Sequence, residues 1–390
     1  MEGRAAVNLL YDDSEQALAE SLNALLKDRC GWDKVLARTE SDETYDTELW
    51  HAIAADLGCA GLLIPEHAGG AGASFREVAT AAEALGAAVA PVPFLGSAVV
   101  ATACLLACRS SEADHLIRRM AAGELTAALA VPFVTAPVGA SFPVAVRVAG
   151  PHQGDQASGW SRLRGTISGV ADALAAGMLL VPADGVPRAL YAVDLSTARV
   201  TRTPVTSLDM TRQLCDITLD DAPGVKLASG EAATEAFNAA VQAGAGILAA
   251  EQLGIAQHCL DLTVSYVKER RQFARPVGSF QAIKHRLADL WVEVSQARAA
   301  SRYAADCLAT ESSGTKPAET AVAVSLAKAY CSDVAVHAAQ ECVQLHGGIG
   351  FTWEHQAHLY LKRAKADSLG FGTADAHRAA LAKLVNIPAP

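Results

Sequence analysis

Apolar residues recur every three or four positions between about Asp13 and Leu106, in SEQALAESLNALLKD, DTELWHAIAADLGCAGLL and FREVATAAEALGAAVA. That period predicts amphipathic helices. Between the second and third, IPEHAGGAGAS places a proline and several glycines where one helix stops and unusual backbone angles are needed. A further helix, EADHLIRRMAAG, ends at Gly123. From Leu125 to Ala222 the texture changes to short β-prone runs, PVAVRVAG, LRGTISG, AGMLLVPA, ALYAVDL and CDITLD, separated by turn residues. Their spacing predicts one all-β module, a barrel or sandwich. From Leu227 onward long proline-free helical stretches return, EAATEAFNAAVQAGAGILAAEQLGIAQHCLDLTVSYVKERRQF and ETAVAVSLAKAYCSDVAVHAAQECVQLHGG. Helices of that length belong to an up-and-down bundle and often to a subunit interface. The pattern therefore predicts an α+β multidomain chain: an N-terminal α-helical domain over 1–123, a middle β domain over 124–226 and a C-terminal helical bundle over 227–390.

Composition sharpens this picture. Of the 390 residues 51% are apolar and only 5% aromatic, an alanine-rich balance that favours packed helices over an all-β shell. The formal charge of −10 is spread along the chain with no basic stripe, which argues against nucleic acid as a partner. The nine cysteines form no C-x-x-C, and Cys104, Cys108, Cys259 and Cys331 sit in apolar helical stretches. They read as buried, reduced thiols of a cytoplasmic protein. His346, His355 and His358 cluster without an H-E-x-x-H pattern, so packed or surface histidines and no metal site are expected. Cys104 and Cys108 read as ordinary core, and Gly69, Gly70 and Gly72, with no lysine following, as a turn. MEGRAAVNLLYDDSEQ lacks the apolar core of a signal peptide, and FLGSAVVATACLLAC (94–108) is shorter than a membrane span. A buried helix and a soluble protein are the expectation there.

Two segments carry candidate chemistry. In ERRQFARPVGSFQAIKHRLADL (269–290), Arg270 and Arg271 end a helix beside Phe273, and Gln281 follows a turn set by Pro276 and Gly278. Guanidinium groups suit phosphates, an aromatic ring supports a flat base, and an amide anchors a hydroxyl. In QLHGGIGFTWEHQAHLYLKRAKA (344–366), Gly347 and Gly348 let backbone amides approach a pyrophosphate, with Gln344 one turn before them. The bland alternative is that the two arginines only meet the helix dipole.

Together with LGCAGLLIPEHAGGAG, the helix ending in AAEALG and the helix–β–helix order, these segments resemble the acyl-CoA dehydrogenase family. The likeness extends to actinobacterial-type subunits of heterotetrameric enzymes that act on steroid side chains. It implies an N-terminal helical domain, a middle β-barrel and a C-terminal four-helix bundle, with FAD as cofactor. By resemblance Arg270, Gln272, Phe273, Gln281, Gln344, Gly347 and Gly348 contact the adenosine-diphosphate half of a neighbouring subunit's FAD, and Thr373 is a further cofactor contact. The implied reaction is α,β-dehydrogenation of an acyl-CoA thioester to a trans-2-enoyl-CoA, with electrons passing to an electron-transfer flavoprotein. The implied partners are a homologous subunit in an α2β2 assembly, or further copies of the chain.

The chain departs from the family at three places. The family's usual base lies in a Tyr-Glu-Gly-Thr motif, and the matching residues here are Gly370, Phe371, Gly372 and Thr373. A second placement, early in the long helix, is AGAG (243–246). The remaining candidate is Glu251, in AAEQLG. Its neighbours at helical spacing are Ile247, Leu248, Gly254 and Ile255, and no lysine or arginine occurs between Lys226 and Lys268. An inward carboxylate without local counter-charge would have a raised pKa and serve as the general base; partial exposure, or satisfaction by a backbone donor or an arginine of another helix, is the alternative. The β module also lacks the family's Thr-Glu-Pro and Trp-x-Thr runs in LAVPFVTAP (129–137) and ISGVADALA (167–175). Hence a second reading stands beside the first: a non-catalytic partner that completes another chain's FAD site. The small residues Ala243, Gly244, Ala245, Gly246, Ala249, Ala250 and Gly254 fit either room for a bulky acyl group or close helix packing.

Overall fold

The computed structural model describes residues 8–43, 45–137, 142, 145–151, 160–310 and 317–386. The first seven residues of the N-terminal stretch and positions 143–144 of the first expected strand lie outside that set. Asp12 opens α1 (Asp13–Arg29) through a capping box: its carboxylate accepts from the Glu15 amide, and the Glu15 carboxylate accepts from the Asp12 amide. Helices α2 (Trp32–Thr39) and α3 (Thr47–His51) follow, the latter continuing as a π-helix over Ala52–Asp56. Ser74 and Glu77 form a second capping box at the start of α4 (Phe75–Ala87). The apolar run is a π-helix, Phe94–Ala101, that passes into α5 (Thr102–Cys108), and it is largely buried, as its pattern predicts. Helix α6 (Ser111–Ala121) completes the N-terminal helices.

The β module comprises β1 (Ala127–Leu129), β2 (Val146–Pro151), β3 (Trp160–Ala171), β4 (Met178–Ala183), β5 (Ala189–Asp194), β6 (Val200–Val205) and β7 (Leu214–Ser229). They form one sheet in the order β1-β4-β5-β7-β3-β2, with β6 also paired to β7. At 16 residues β7 is long enough to pair with β3 over Leu214–Val225, with β6 over Leu214–Leu219 and with β5 over Val225–Ser229. Single bridges, Pro132 to Val170 and Arg147 to Asp184, draw the ends of that order together. The sheet thus wraps around a core of Leu163, Ile167, Leu179, Val193 and Ile217, as in a small barrel. The sequence pattern placed the end of the module at 226. The strand runs on to Ser229 because burial continues through Leu227 and Ala228, and Gly230, at φ 63, turns the chain.

Helices α7 (Glu231–Glu269), α8 (Gln281–Thr310), α9 (Pro317–His346), α10 (Ala357–Asp367) and α11 (Ala374–Leu384) build the C-terminal bundle. The middle of α7 is buried on all sides, between α9, α8 and the N-terminal α4 and α5. Among the described residues α7 is the one helix long and apolar enough to cross a membrane, and 89% of its apolar window is buried inside the protein. Its glycines serve close packing. A Cβ on Gly254 would lie 2.0 Å from the Glu83 carbonyl oxygen, and one on Gly86 would lie 2.1 Å from that of Glu251, so α4 and α7 cross in backbone contact. A Cβ on Gly246 would meet Leu308 at 2.6 Å. All nine cysteines are buried thiols outside any disulfide.

Candidate functional site

Beyond α7 the chain makes a hairpin of β8 (Arg271–Gln272) and β9 (Arg275–Pro276), whose turn residues Phe273 and Ala274 have φ 52 and 62. Left-handed backbone at a residue with a Cβ costs about 1–2 kcal/mol, and such strain concentrates at functional sites. Here it holds the Phe273 ring outward, 86% exposed, with the Phe280 ring edge-on at 6.1 Å and the Arg275 guanidinium 3.9 Å over Phe280. The end of α9 lies alongside. The Tyr266 ring stacks on His346 at 4.3 Å, and its hydroxyl donates to the His346 carbonyl at 3.3 Å. Gly347, at φ 65, and Gly348 follow, and a Cβ on either would meet nothing within 4 Å.

Arg270, Gln272, Phe273, Gln281, Gln344, Gly347 and Gly348 are therefore all exposed at one end of the bundle. An outward ring, guanidinium groups and bare backbone amides fit an adenosine-diphosphate group presented from another molecule. Thr373 stands apart, in the loop between α10 and α11, and its hydroxyl caps α11 by accepting from the Ala376 amide at 3.2 Å. The His346 and His355 rings lie 4.3 Å apart, tilted by 41°, and His358 packs on Trp353 at 4.7 Å.

Glu251 is buried, and it is not the lone carboxylate that the absence of nearby basic residues led us to expect. Arg212, in the loop between β6 and β7, donates from Nη2 to both carboxylate oxygens at 2.7 and 2.6 Å. Arg363, on α10, donates from Nε to Oε1 at 2.7 Å. Burial alone would raise the Glu251 pKa; the two guanidinium charges outweigh it and bring it down to about 2. The expected raised pKa is thus reversed, since the counter-charges come from 39 residues before and 112 residues after it in sequence.

The same knot extends further. Arg212 lies 3.6 Å from Asp172 and from Asp367, and Arg363 lies 3.5 Å from Asp367 and 3.6 Å from Asp209. Asp172 accepts from the Tyr45 hydroxyl and the Gly96 amide, both at 2.8 Å, which ties in the N-terminal helices. Lys328, inside α9, donates to Ser332 at 2.8 Å and to the Asp367 carbonyl at 3.0 Å, and burial lowers its pKa to about 8. Burial, with the Glu251 charge beside it, holds the Asp367 carboxyl well above the usual range. Arg212 and Arg363 were missed from sequence because no local spacing links them to Glu251; a lysine in the apolar run SLAKAY was the one visible sign of buried charge.

A cleft of about 830 Å³ opens between the β module and the end of α10, walled by Phe133, Val134, Leu208, Leu214 and Leu369. Its volume suits a flat ring system. Arg212 and Asp209 line it, while Glu251 lies behind Arg212 and does not. The positions where an acidic residue and a tryptophan were missing in sequence contribute Val134, Ser168 and Gly169 to its lining, and the Thr135 hydroxyl is spent on the Pro132 carbonyl at 2.7 Å. These residues offer a flavin ring fewer polar partners than the bundle tip offers a diphosphate.

The loop after α10 carries Phe371, whose ring meets Phe133, on the cleft wall, edge-on at 5.6 Å. Of the small residues on α7, Gly244 accommodates this ring: a Cβ there would lie 2.7 Å from Phe371.

A helical domain, a wrapped β module and a long-helix bundle with exposed arginines and glycines at its tip make up an architecture shared by flavin-dependent dehydrogenases. The N-terminal domain of acyl-CoA dehydrogenases matches residues 12–124, and the C-terminal domain of the same enzymes matches residues 234–385. The acyl-CoA dehydrogenase IpdE2 of Mycolicibacterium smegmatis is 34% identical over 352 residues, 90% of this chain and 92% of that protein. IpdE2 of Mycobacterium tuberculosis is 33% identical over 352 residues, covering 90% and 91%. The Tcur3481–Tcur3483 steroid ACAD superposes with a TM-score of 0.81 at 28% identity, covering 96% of this chain and 98% of that one. The ChsE4–ChsE5 complex of M. tuberculosis shares the fold, with a TM-score of 0.84 at 23% identity over 98% and 100%. The chain belongs to the acyl-CoA dehydrogenase family, a family of oxidoreductases.

Proposed function

We propose that this chain is one subunit of an FAD-dependent acyl-CoA dehydrogenase, assembled with a homologous chain that carries the catalytic carboxylate, and that its bundle tip completes the partner's FAD site. The observation that carries this reading is the clamp on Glu251. A general base must be free to approach a carbon-bound proton and must have a pKa near the working pH. A carboxylate held by two guanidinium groups, with its pKa near 2, has neither property. The loop at 370–373 adds no carboxylate to replace it.

In the assembly, the exposed Arg270 would pair with a diphosphate, Phe273 would support the adenine, and the Gly347 and Gly348 amides would come close to phosphate oxygens. FAD, when bound, supplies the hydride acceptor for the β-hydrogen of the acyl group. Glu251 orients Arg212 and Arg363, and so fixes the loop after β6 and helix α10 on which the cleft is built. The names of two structural neighbours, a steroid ACAD and a two-protein complex, support a bulky acyl group and a mixed assembly.

Co-expression with neighbouring homologous chains, followed by native mass and flavin absorbance, tests this. The expected result is an α2β2 complex with two FAD, in which Glu251→Gln leaves turnover per folded complex unchanged. A homotetramer of this chain alone, with one FAD per subunit and dehydrogenase turnover abolished by Glu251→Gln, overturns it.

A further inference from the structure

We propose that Phe371 is the residue that closes this chain's own acyl cleft, and that an acyl-sized cavity returns beside Gly244 when its ring is removed. The inference deepens, and rests on, the reading of this chain as a partner subunit. Phe371 occupies the position at which the family's base is expected, and its ring points inward, 5% exposed. Three of its ring carbons lie within 2.9 Å of where a Cβ on Gly244 would be, so the ring abuts the bare backbone of α7. On its other side it meets Phe133 edge-on, and a Cβ on Gly370 would lie 2.3 Å from the Phe133 ring. Together the two rings occupy the space bounded by Leu95, Val100, Leu129 and Val131, leaving about 20 Å³, room for little more than one water.

The backbone shows how firmly the ring is placed. Phe371 sits at φ 50, a left-handed conformation that disfavours any side chain with a Cβ, between Gly370 and Gly372. Its amide donates to the Phe133 carbonyl at 2.7 Å, and its carbonyl is paired with His377 Nε2 at 2.8 Å. The loop is thus fixed from both sides, and opening the cleft by rotating the ring alone is blocked by α7 and Phe133. The same backbone makes a clean test available, because glycine at 371 suits φ 50 and relieves strain while it removes the ring. The void left is on the order of 100 Å³ and mostly apolar, with Asp172, its carboxylate paired with Tyr45, Gly96 and Arg212, on one wall, and a void of that kind admits benzene.

The test compares the full-length wild-type chain with Phe371→Gly and Phe371→Leu, each in the assembly in which it purifies, using benzene and then butyryl-CoA as probes. Saturating benzene should raise the Tm of Phe371→Gly and leave wild type and Phe371→Leu unmoved. Butyryl-CoA should bind this chain in Phe371→Gly at least about tenfold more tightly than in wild type, by calorimetry. No benzene effect in a folded Phe371→Gly, or equal butyryl-CoA affinity in wild type and variant, overturns the proposal. If Phe371→Gly does not fold, Phe371→Ala takes its place under the same criteria. Failure of the partner-subunit reading would appear separately, as flavin bound and turned over by the wild-type chain without a second protein.

Discussion

Glu251 illustrates how one side chain can look catalytic and be structural. Removing its charge while leaving Arg212 and Arg363 buried should cost about 3–5 kcal/mol, because uncompensated buried charge is the expensive state; urea unfolding of Glu251→Gln measures it. Replacing Asp367 should cost far less. Burial, with the Glu251 charge beside it, favours the uncharged form of its carboxyl, so Asp367→Asn should cost less than Glu251→Gln in the same unfolding experiment. The pH dependence follows from signs. The folded pKa of Glu251, about 2, lies below its ordinary 4.5, so its stabilisation is complete above about pH 4.5 and is lost as pH falls towards 2. Midpoints of denaturant unfolding should fall across that window in wild type, and that component should be missing in Glu251→Gln.

At the level of elements, the hairpin at 271–276 combines strain with exposure. Ala274→Gly should relieve left-handed strain and keep or raise stability by up to about 1 kcal/mol with flavin retention unchanged. Phe273→Ala should leave the fold intact and weaken retention of FAD in the assembled complex by about 1–3 kcal/mol, read as flavin released on dilution. That these residues come together on one exposed tip was legible in sequence, since ERRQF and QLHGG each lie at the end of a long helix. The clamp on Glu251 was not legible, because it joins a strand-connecting loop, α7 and α10, and its spacing in the chain obeys no helical or strand period. The end of β7 was misplaced for a related reason: a strand paired on several sides continues past the last clear alternation.

For the whole molecule, the order of helices, β module and bundle was visible in the changing period of apolar residues, but the fit between them depends on contacts that only the folded chain reveals. Gly254→Ala places a methyl 2.0 Å from a carbonyl of α4 and should destabilise the protein by about 1–3 kcal/mol or more by overpacking, measured as a lowered Tm. The charge knot has a wider consequence. Arg212 belongs to the β module, Glu251 and Arg363 to the bundle, and Asp172 reaches Tyr45 and Gly96 among the first helices. Chimaeras that exchange the middle of this protein with that of a relative will therefore succeed or fail at single positions: a graft without arginine at 212 leaves Glu251 with Arg363 as its one remaining clamp, however well its surfaces match.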